Sequence, residues 1–215
     1  MSIEAIYNRR SIRKYKSKEI PIDILNKILD AGRTAPSGKN RQPWKFVVFG
    51  GIKKEELLSK MDAGIQRELN EEALLPNSRY GIPDAKNTLR IMKEAPIIIM
   101  VFNTNGKSPF ENIATADERF TEIVDTLSIG AAIENMLLQA EDLGVGTLWI
   151  ANTCFAYDEL VNYIGAKTQL VGAVALGYPD GKPNPRPRKT PDRTIMILRT
   201  ISLLPEQSIL VLKIH

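Results

Sequence analysis

The sequence holds one histidine, His215, which is its last residue, and one cysteine, Cys154. A Ser-His-Asp triad needs an imidazole held by neighbours on both sides. A chain terminus offers no such support, so triad and Cys-His chemistry are both excluded. One cysteine and one histidine cannot build a zinc site within a chain, nor a four-cysteine iron–sulfur cluster. No metal is expected. A lone cysteine also forms no internal disulfide, which points to a reducing compartment. Long apolar runs are missing too. The most apolar stretch, Pro96 to Phe102, is seven residues long, against the ~20 that a membrane helix requires. The opening MSIEAIYNRR carries acid and base early and lacks a signal-peptide core. A cytoplasmic protein with no membrane partner is the expectation. Any catalysis must rest on carboxylates, a lysine or a borrowed cofactor.

What is present is an ordinary globular composition, 43% hydrophobic and 25% charged over 215 residues. No internal repeat occurs. The net charge of +4 is modest but uneven: Arg9, Arg10, Arg13, Lys14, Lys16 and Lys18 lie in one acid-free stretch. Lys182, Arg186, Arg188, Lys189 and Arg193 form a second cluster among prolines. Local positive fields of this kind mark anion sites, phosphate first among them.

The spacing predicts a short opening helix at 3–10, an amphipathic helix at 22–33 and a Pro/Gly loop over 35–43. Strands are predicted at 45–50, 97–102, 145–150 and 170–176, with a possible fifth at 208–214. Helices are expected at 53–61, 117–143 and 157–164. The longest ends at Gly144, a suitable cap. Residues 62–95 are polar and helix-like, broken at Pro76-Asn77 and at Gly81-Ile82-Pro83, and 103–116 is an excursion. Interleaved strands and helices argue for one α/β or α+β domain around a central sheet.

Four segments carry candidate chemistry. In Arg9-Arg10-Ser11-Ile12-Arg13, arginine forks and a hydroxyl can grip a phosphate; the alternative is a solvated basic turn. The stretch has no aromatic interleaving beyond Tyr15 and no nucleic-acid motif, so no nucleic-acid partner is assigned. In Ala35-Pro36-Ser37-Gly38-Lys39-Asn40-Arg41-Gln42-Pro43, Asn40 and Gln42 each offer donor and acceptor, enough to read an imide-like heterocycle edge. The alternative is a plain connection whose Trp44 packs in the core. Residues 144–152 (GVGTLWIAN) permit close backbone approach, or form a buried strand with Trp149 as a core aromatic. Along Gly177–Lys189, extended backbone aims Arg186 and Arg188 the same way.

Together, RRSIRKY, APSGKNRQPWKF, DTLSIGAAIENMLLQAEDLG, GVGTLWI and ALGYPDGKPNPRPRK resemble the nitroreductase family of FMN-dependent oxidoreductases, from Ile3 to about Lys189. The resemblance implies a three-layer α/β sandwich with a central mixed sheet, an intertwined homodimer and two FMN molecules at the subunit interface. It assigns Arg9, Arg10, Ser11 and Arg13 to the phosphate, ribityl chain and pyrimidine side of FMN. Pro36, Ser37, Gly38, Asn40 and Gln42 would come from the partner subunit. Trp149 and the backbone at Ile150, Ala151 and Asn152 would lie near flavin N5, and Arg186 and Arg188 would return to the phosphate. No protein residue is assigned as catalytic acid or base. The implied reaction is ping-pong, from NADH or NADPH to a flat acceptor such as a nitroaromatic or quinone. A dehalogenase or dehydrogenase on the same fold, and a flavin-binding protein without turnover, are the alternatives. One further contact is expected from Asn87, Thr88 or Arg90. Phe110 and Phe120 are candidate stacking groups in the 103–120 excursion. The domain is expected to span 1–193. The tail 194–215 departs from the family pattern and is a candidate exchanged edge strand.

Overall fold

A computed structural model of the chain describes residues 4–70, 72–112 and 115–197. The chain divides into two compact units, residues 1–183 and 184–215. In the second, the described residues 184–197 are exposed, with one 3-10 turn at Pro191–Arg193. The expected strand at 208–214 lies outside the described residues.

The first unit runs α1 (Glu4–Asn8), α2 (Ile22–Arg33), β1 (Trp44–Gly50), α3 (Gly51–Arg67), α4 (Ile82–Glu94), β2 (Ile97–Asn103), α5 (Ala116–Asp142), β3 (Gly146–Ile150), α6 (Tyr157–Ile164) and β4 (Gln169–Gly177). The strands form one sheet in the order β1-β2-β4-β3, each neighbouring pair antiparallel. The parallel component of the expected mixed sheet is, among the described residues, the bridge between Ser11 and Thr147. A register shift after Val101 moves the β2–β4 pairing from Val101–Gly172 to Phe102–Leu170.

The central strands read as nearly continuous apolar runs because both faces of the sheet are covered. Ile98, Met100 and Phe102 of β2, with Ala173 and Ala175 of β4, pack into one core beneath α3, α4 and α6. Ile99 and Val101, with Val174 and Leu176, join a second core under α2 and α5. The alternation follows from the two-residue period of a strand. This is the three-layer α/β sandwich expected from the sequence.

Helix α3 continues past the expected end at Met61. Leu57, Leu58, Met61, Gly64 and Ile65 keep one buried face at helical spacing. Helix α5 opens on a capping box in which the Thr115 hydroxyl accepts from the Glu118 N–H and the Glu118 carboxylate accepts from the Thr115 N–H. It closes at Gly144, whose φ of +70° turns the chain so that the Val145 N–H reaches the Ala140 carbonyl at 2.8 Å. Its 27 residues make it about 40 Å long. Among the described residues no helix is long and apolar enough to cross a membrane.

Gly64 sets how closely α3 approaches the 3-10 turn that follows β3. A Cβ there would stand 2.4 Å from both Cα and Cβ of Ala156. Alanine is the better helix former by about 1 kcal/mol, but overpacking against backbone costs about 1–3 kcal/mol. Gly64→Ala is therefore expected to lower the urea midpoint, with a net loss of about 1 kcal/mol. A raised midpoint would refute this close packing.

Candidate functional site

After α1 the chain leaves the helix and lies along the sheet edge. The Ile12 N–H donates to the Thr147 carbonyl at 2.8 Å and the Lys16 N–H to the Tyr178 carbonyl at 2.9 Å. The Asp180 N–H returns to the Lys14 carbonyl at 3.0 Å. Ile12 and Tyr15 are the buried pegs of this strip. The Tyr15 hydroxyl donates to the Ile12 carbonyl at 3.1 Å, and burial raises its pKa far above the usual tyrosine range. With these two turned inward, Arg13, Lys14, Lys16 and Lys18 are left on the outside, while Arg9 and Arg10 are half-buried.

The arginines are only partly satisfied. Arg10 Nη1 donates to the carbonyls of Tyr7 and Arg9 at 2.7 and 2.8 Å, the open C-terminal end of α1. Arg13 Nη1 donates to the Ser11 carbonyl at 3.1 Å. Arg9 Nε stands 3.5 Å from the Glu134 carboxylate, an ion pair without a hydrogen bond. The Nε atoms of Arg9 and Arg10 are buried donors with no hydrogen-bond partner among the described residues. Burying a donor unsatisfied costs about 1–3 kcal/mol. Two such donors side by side on a cationic strip suit a polyanionic group.

At the other end of β3, Trp149 corrects one expectation. It is not a core aromatic but is 47% exposed. Opposite Val174 on the edge strand, it turns to the α5 side, where its ring tip lies 4.0 Å from the Cβ position of Gly130 and nearly half of the side chain stays open. The Ile150 side chain is buried, which leaves its backbone for any outward contact, and Ala151 is exposed. Asn152 Nδ2 donates to Asp84 Oδ2 at 2.8 Å and to Thr88 Oγ1 at 3.1 Å. Of the three candidates on α4, Thr88 is therefore the one placed beside the end of β3. Arg90 instead donates to Asn87 and pairs with Glu94 on the outer surface.

The loop between α2 and β1 is strained. Lys39, Asn40 and Gln42 have φ of 53°, 53° and 49°. Left-handed backbone costs roughly 1–2 kcal/mol for a residue with a side chain, least for asparagine. Such strain persists only where surroundings enforce it. Here the Gln42 N–H donates to Ser37 Oγ at 3.0 Å and the Gly38 N–H to Ser128 Oγ at 3.2 Å. Arg41 Nε and Nη2 both donate to Asp125 Oδ1, at 2.9 and 2.7 Å. Asn40 and Gln42 stay exposed, joined by a 3.1 Å bond between their amides, and Pro36 is exposed as well.

Both polar segments hang on α5. The arginine strip meets it at Glu134 and the loop at Asp125. Nine residues correspond to about two and a half turns, so the anchors face opposite sides of the helix, roughly 13 Å apart along it. One chain does not gather the arginines and the amide loop around one point. Arg186 and Arg188 belong to the second unit, where both are exposed.

The 103–120 excursion borders a cleft of about 590 Å³. Asn105, Lys107, Glu118, Arg119, Glu122 and Asp125 are among its lining residues. The two phenylalanines nominated there do not line it. Phe110 packs edge-on against Tyr157 at 5.6 Å between ring centres, and Phe120 is 69% exposed on α5.

A profile of the Nitroreductase family matches residues 6–178. The chain belongs to the nitroreductase family. A protein of Methanothermobacter thermautotrophicus, provisionally named NADH dehydrogenase/NAD(P)H nitroreductase, is 27% identical over 197 residues, which cover 89% of this chain and 84% of that protein. An iodotyrosine deiodinase of Thermotoga neapolitana is 24% identical over 198 residues, 89% of this chain and 94% of the other. The crystal structure of an FMN-dependent nitroreductase of Mycobacterium smegmatis in complex with NADPH shares the fold. Its TM-score is 0.68 at 18% identity, covering 91% of this chain and 97% of that one.

Within this nitroreductase fold the lone cysteine sits in the turn that follows β3, packed against the core beneath α3, α4 and α6. Burial pushes the Cys154 thiol pKa up, so the thiolate is scarce at neutral pH and the residue serves packing. Alkylation by iodoacetamide at pH 8 is expected to be slower than that of free glutathione and still accelerating at pH 9. A rate above that of glutathione would contradict this environment.

Proposed function

We propose that this nitroreductase is an FMN-dependent enzyme that takes hydride from NADH or NADPH and reduces a flat electron acceptor, a nitroaromatic or quinone, as a homodimer in a reducing, cytoplasmic setting. The observation that carries the reading is the pair of buried guanidinium Nε donors at Arg9 and Arg10, on the strip beside β3, that lack a hydrogen bond among the described residues. A dianionic phosphate answers both donors. Relatives and fold neighbours whose names include NAD(P)H, FMN and NADPH support the same chemistry.

Arg9, Arg10 and Ser11 would hold the phosphate and ribityl chain. Arg13 brings a cation to the pyrimidine side, where Coulomb attraction favours negative charge in a poorly hydrated site. Asn40 and Gln42, with Pro36, Ser37 and Gly38, meet the heterocycle edge from the second chain. The opposed anchors on α5 support this division, since a loop facing away from its own arginines serves those of a partner. An exposed apolar stripe on α5 supports it too: Phe120, Ile123 and Leu127 are 69%, 46% and 70% exposed at helical spacing. When bound, FMN would supply the two-electron redox chemistry that the side chains themselves lack. The exposed Trp149 and Ala151 and the backbone at Ile150 and Asn152 border the place of exchange, and Thr88 and Asp84 hold Asn152 there. Water supplies the proton.

Similarity to an iodotyrosine deiodinase favours reductive dehalogenation as a second reading. The purified protein is expected to be yellow, to release FMN on denaturation, and to bleach anaerobically with NADH or NADPH. Reoxidation by a nitroaromatic or quinone supports the first reading and reoxidation by a halogenated phenol the second. No bleaching with either nicotinamide would leave a flavin-binding protein without turnover.

Arg13→Ala is expected to weaken FMN binding by about tenfold, the loss of one charge-assisted contact, and to lower the flavin midpoint potential. Unchanged affinity and potential would remove Arg13 from the site.

A further inference from the structure

We propose that Asp125 is a positioning residue for the cofactor: it touches no flavin, and through Arg41 it holds the 37–42 loop in the shape that presents Asn40 and Gln42. The proposal rests on the reading of that loop as a flavin-contacting element.

Three observations lead to it. Asp125 is 1% exposed, an ionisable group in the buried face of a helix that is otherwise lined there by Ser128, Ile129, Ala132 and Ile133. Buried carboxylates are retained only when fully partnered. Its Oδ1 takes both donors of the Arg41 fork at 2.9 and 2.7 Å, and its Oδ2 takes Asn105 Nδ2 at 3.2 Å. Second, Arg41 sits between the left-handed residues Asn40 and Gln42, so pinning its side chain fixes the backbone turn on both sides of it. Third, the carboxylate ends a relay. The Asn105 N–H donates to Asn103 Oδ1 at 3.1 Å, Asn103 Nδ2 to Gln169 Oε1 at 3.1 Å, and Gln169 Nε2 to Glu122 Oε1 at 2.8 Å. Asn103 and Gln169 are register partners at the ends of β2 and β4. The loop is thereby tied to the rigid sheet, with the exposed turn carried at the end of the chain of bonds. Asn105, Glu122 and Asp125 also line the neighbouring cleft, so the same bonds join that cleft to the loop.

An asparagine at 125 keeps one acceptor oxygen where two now receive Arg41 and Asn105 separately, so either Arg41 or Asn105 loses its partner. Apo-protein prepared from the wild type, Asp125→Asn, Arg41→Gln and the double variant is titrated with FMN. The visible flavin spectrum, the midpoint potential and the melting temperature are measured alongside. Each single variant is expected to weaken FMN binding by about tenfold and to shift the flavin absorption band, and the double variant to be no weaker than the worse single one. Arg41 lies at the surface end of the pair, so Arg41→Gln carries the test if Asp125→Asn fails to fold. The proposal is overturned if variants of an FMN-binding wild type melt earlier yet keep their FMN affinity and spectrum, which is the behaviour of a purely structural carboxylate. Multiplying losses in the double variant overturn it as well. A wild type that takes up no FMN overturns the underlying reading, and this proposal with it.

Discussion

A sheet whose middle strands are apolar on both faces has to be covered on both, and most of the architecture answers that demand. β2 and β4 send alternate side chains into two separate cores. Helices α3, α4 and α6 close one, α2 and α5 the other. The sheet edge at β3 is left to the backbone strip after α1, which supplies hydrogen bonds and two buried pegs, Ile12 and Tyr15. Polar side chains then have few places to be except edges, strand ends and the outer surface of α5. The candidate site occupies those places.

Helix α5 links packing to chemistry. Its inner face seals a core, its Glu134 pairs with the arginine strip, its Asp125 and Ser128 hold the amide loop, and its apolar stripe is exposed among the described residues. Because helical periodicity sets Asp125 and Glu134 on opposite sides, one rod carries two polar anchors facing apart. That geometry favours a shared site over an internal one.

Much of this was legible in the residues. The strands at 45–50, 97–102, 145–150 and 170–176 stand within a residue or two of their expected ends, because β-branched runs bounded by glycine and proline leave little choice. Helix α5 was legible from its apolar spacing and from Gly144. The extension of α3 to Arg67 was harder to see, since its outer face is polar and only Gly64 and Ile65 carry the buried side onward. Of the two readings of Trp149, the core one fails, because a tryptophan in an apolar strand says nothing about whether that strand lies in the middle or at the edge. The choice among Asn87, Thr88 and Arg90 also needed the fold, which turns Thr88 toward Asn152 and the other two outward. The Asp125 relay has one signal in the sequence, an acid on the apolar side of a long helix.

The sequence by itself determined the periodicities, the caps, the breaks and the chemical inventory: arginines and amides in place of histidines and thiols. These are local properties, set by neighbours a few positions apart. Tertiary structure decided which arginine nitrogens lost their water, which residues of one loop took left-handed backbone, and which carboxylate was buried to hold it. Each of those depends on groups far apart in the chain, such as Arg41 and Asp125 or Asn103 and Gln169, meeting across packed elements, and no local pattern encodes that meeting.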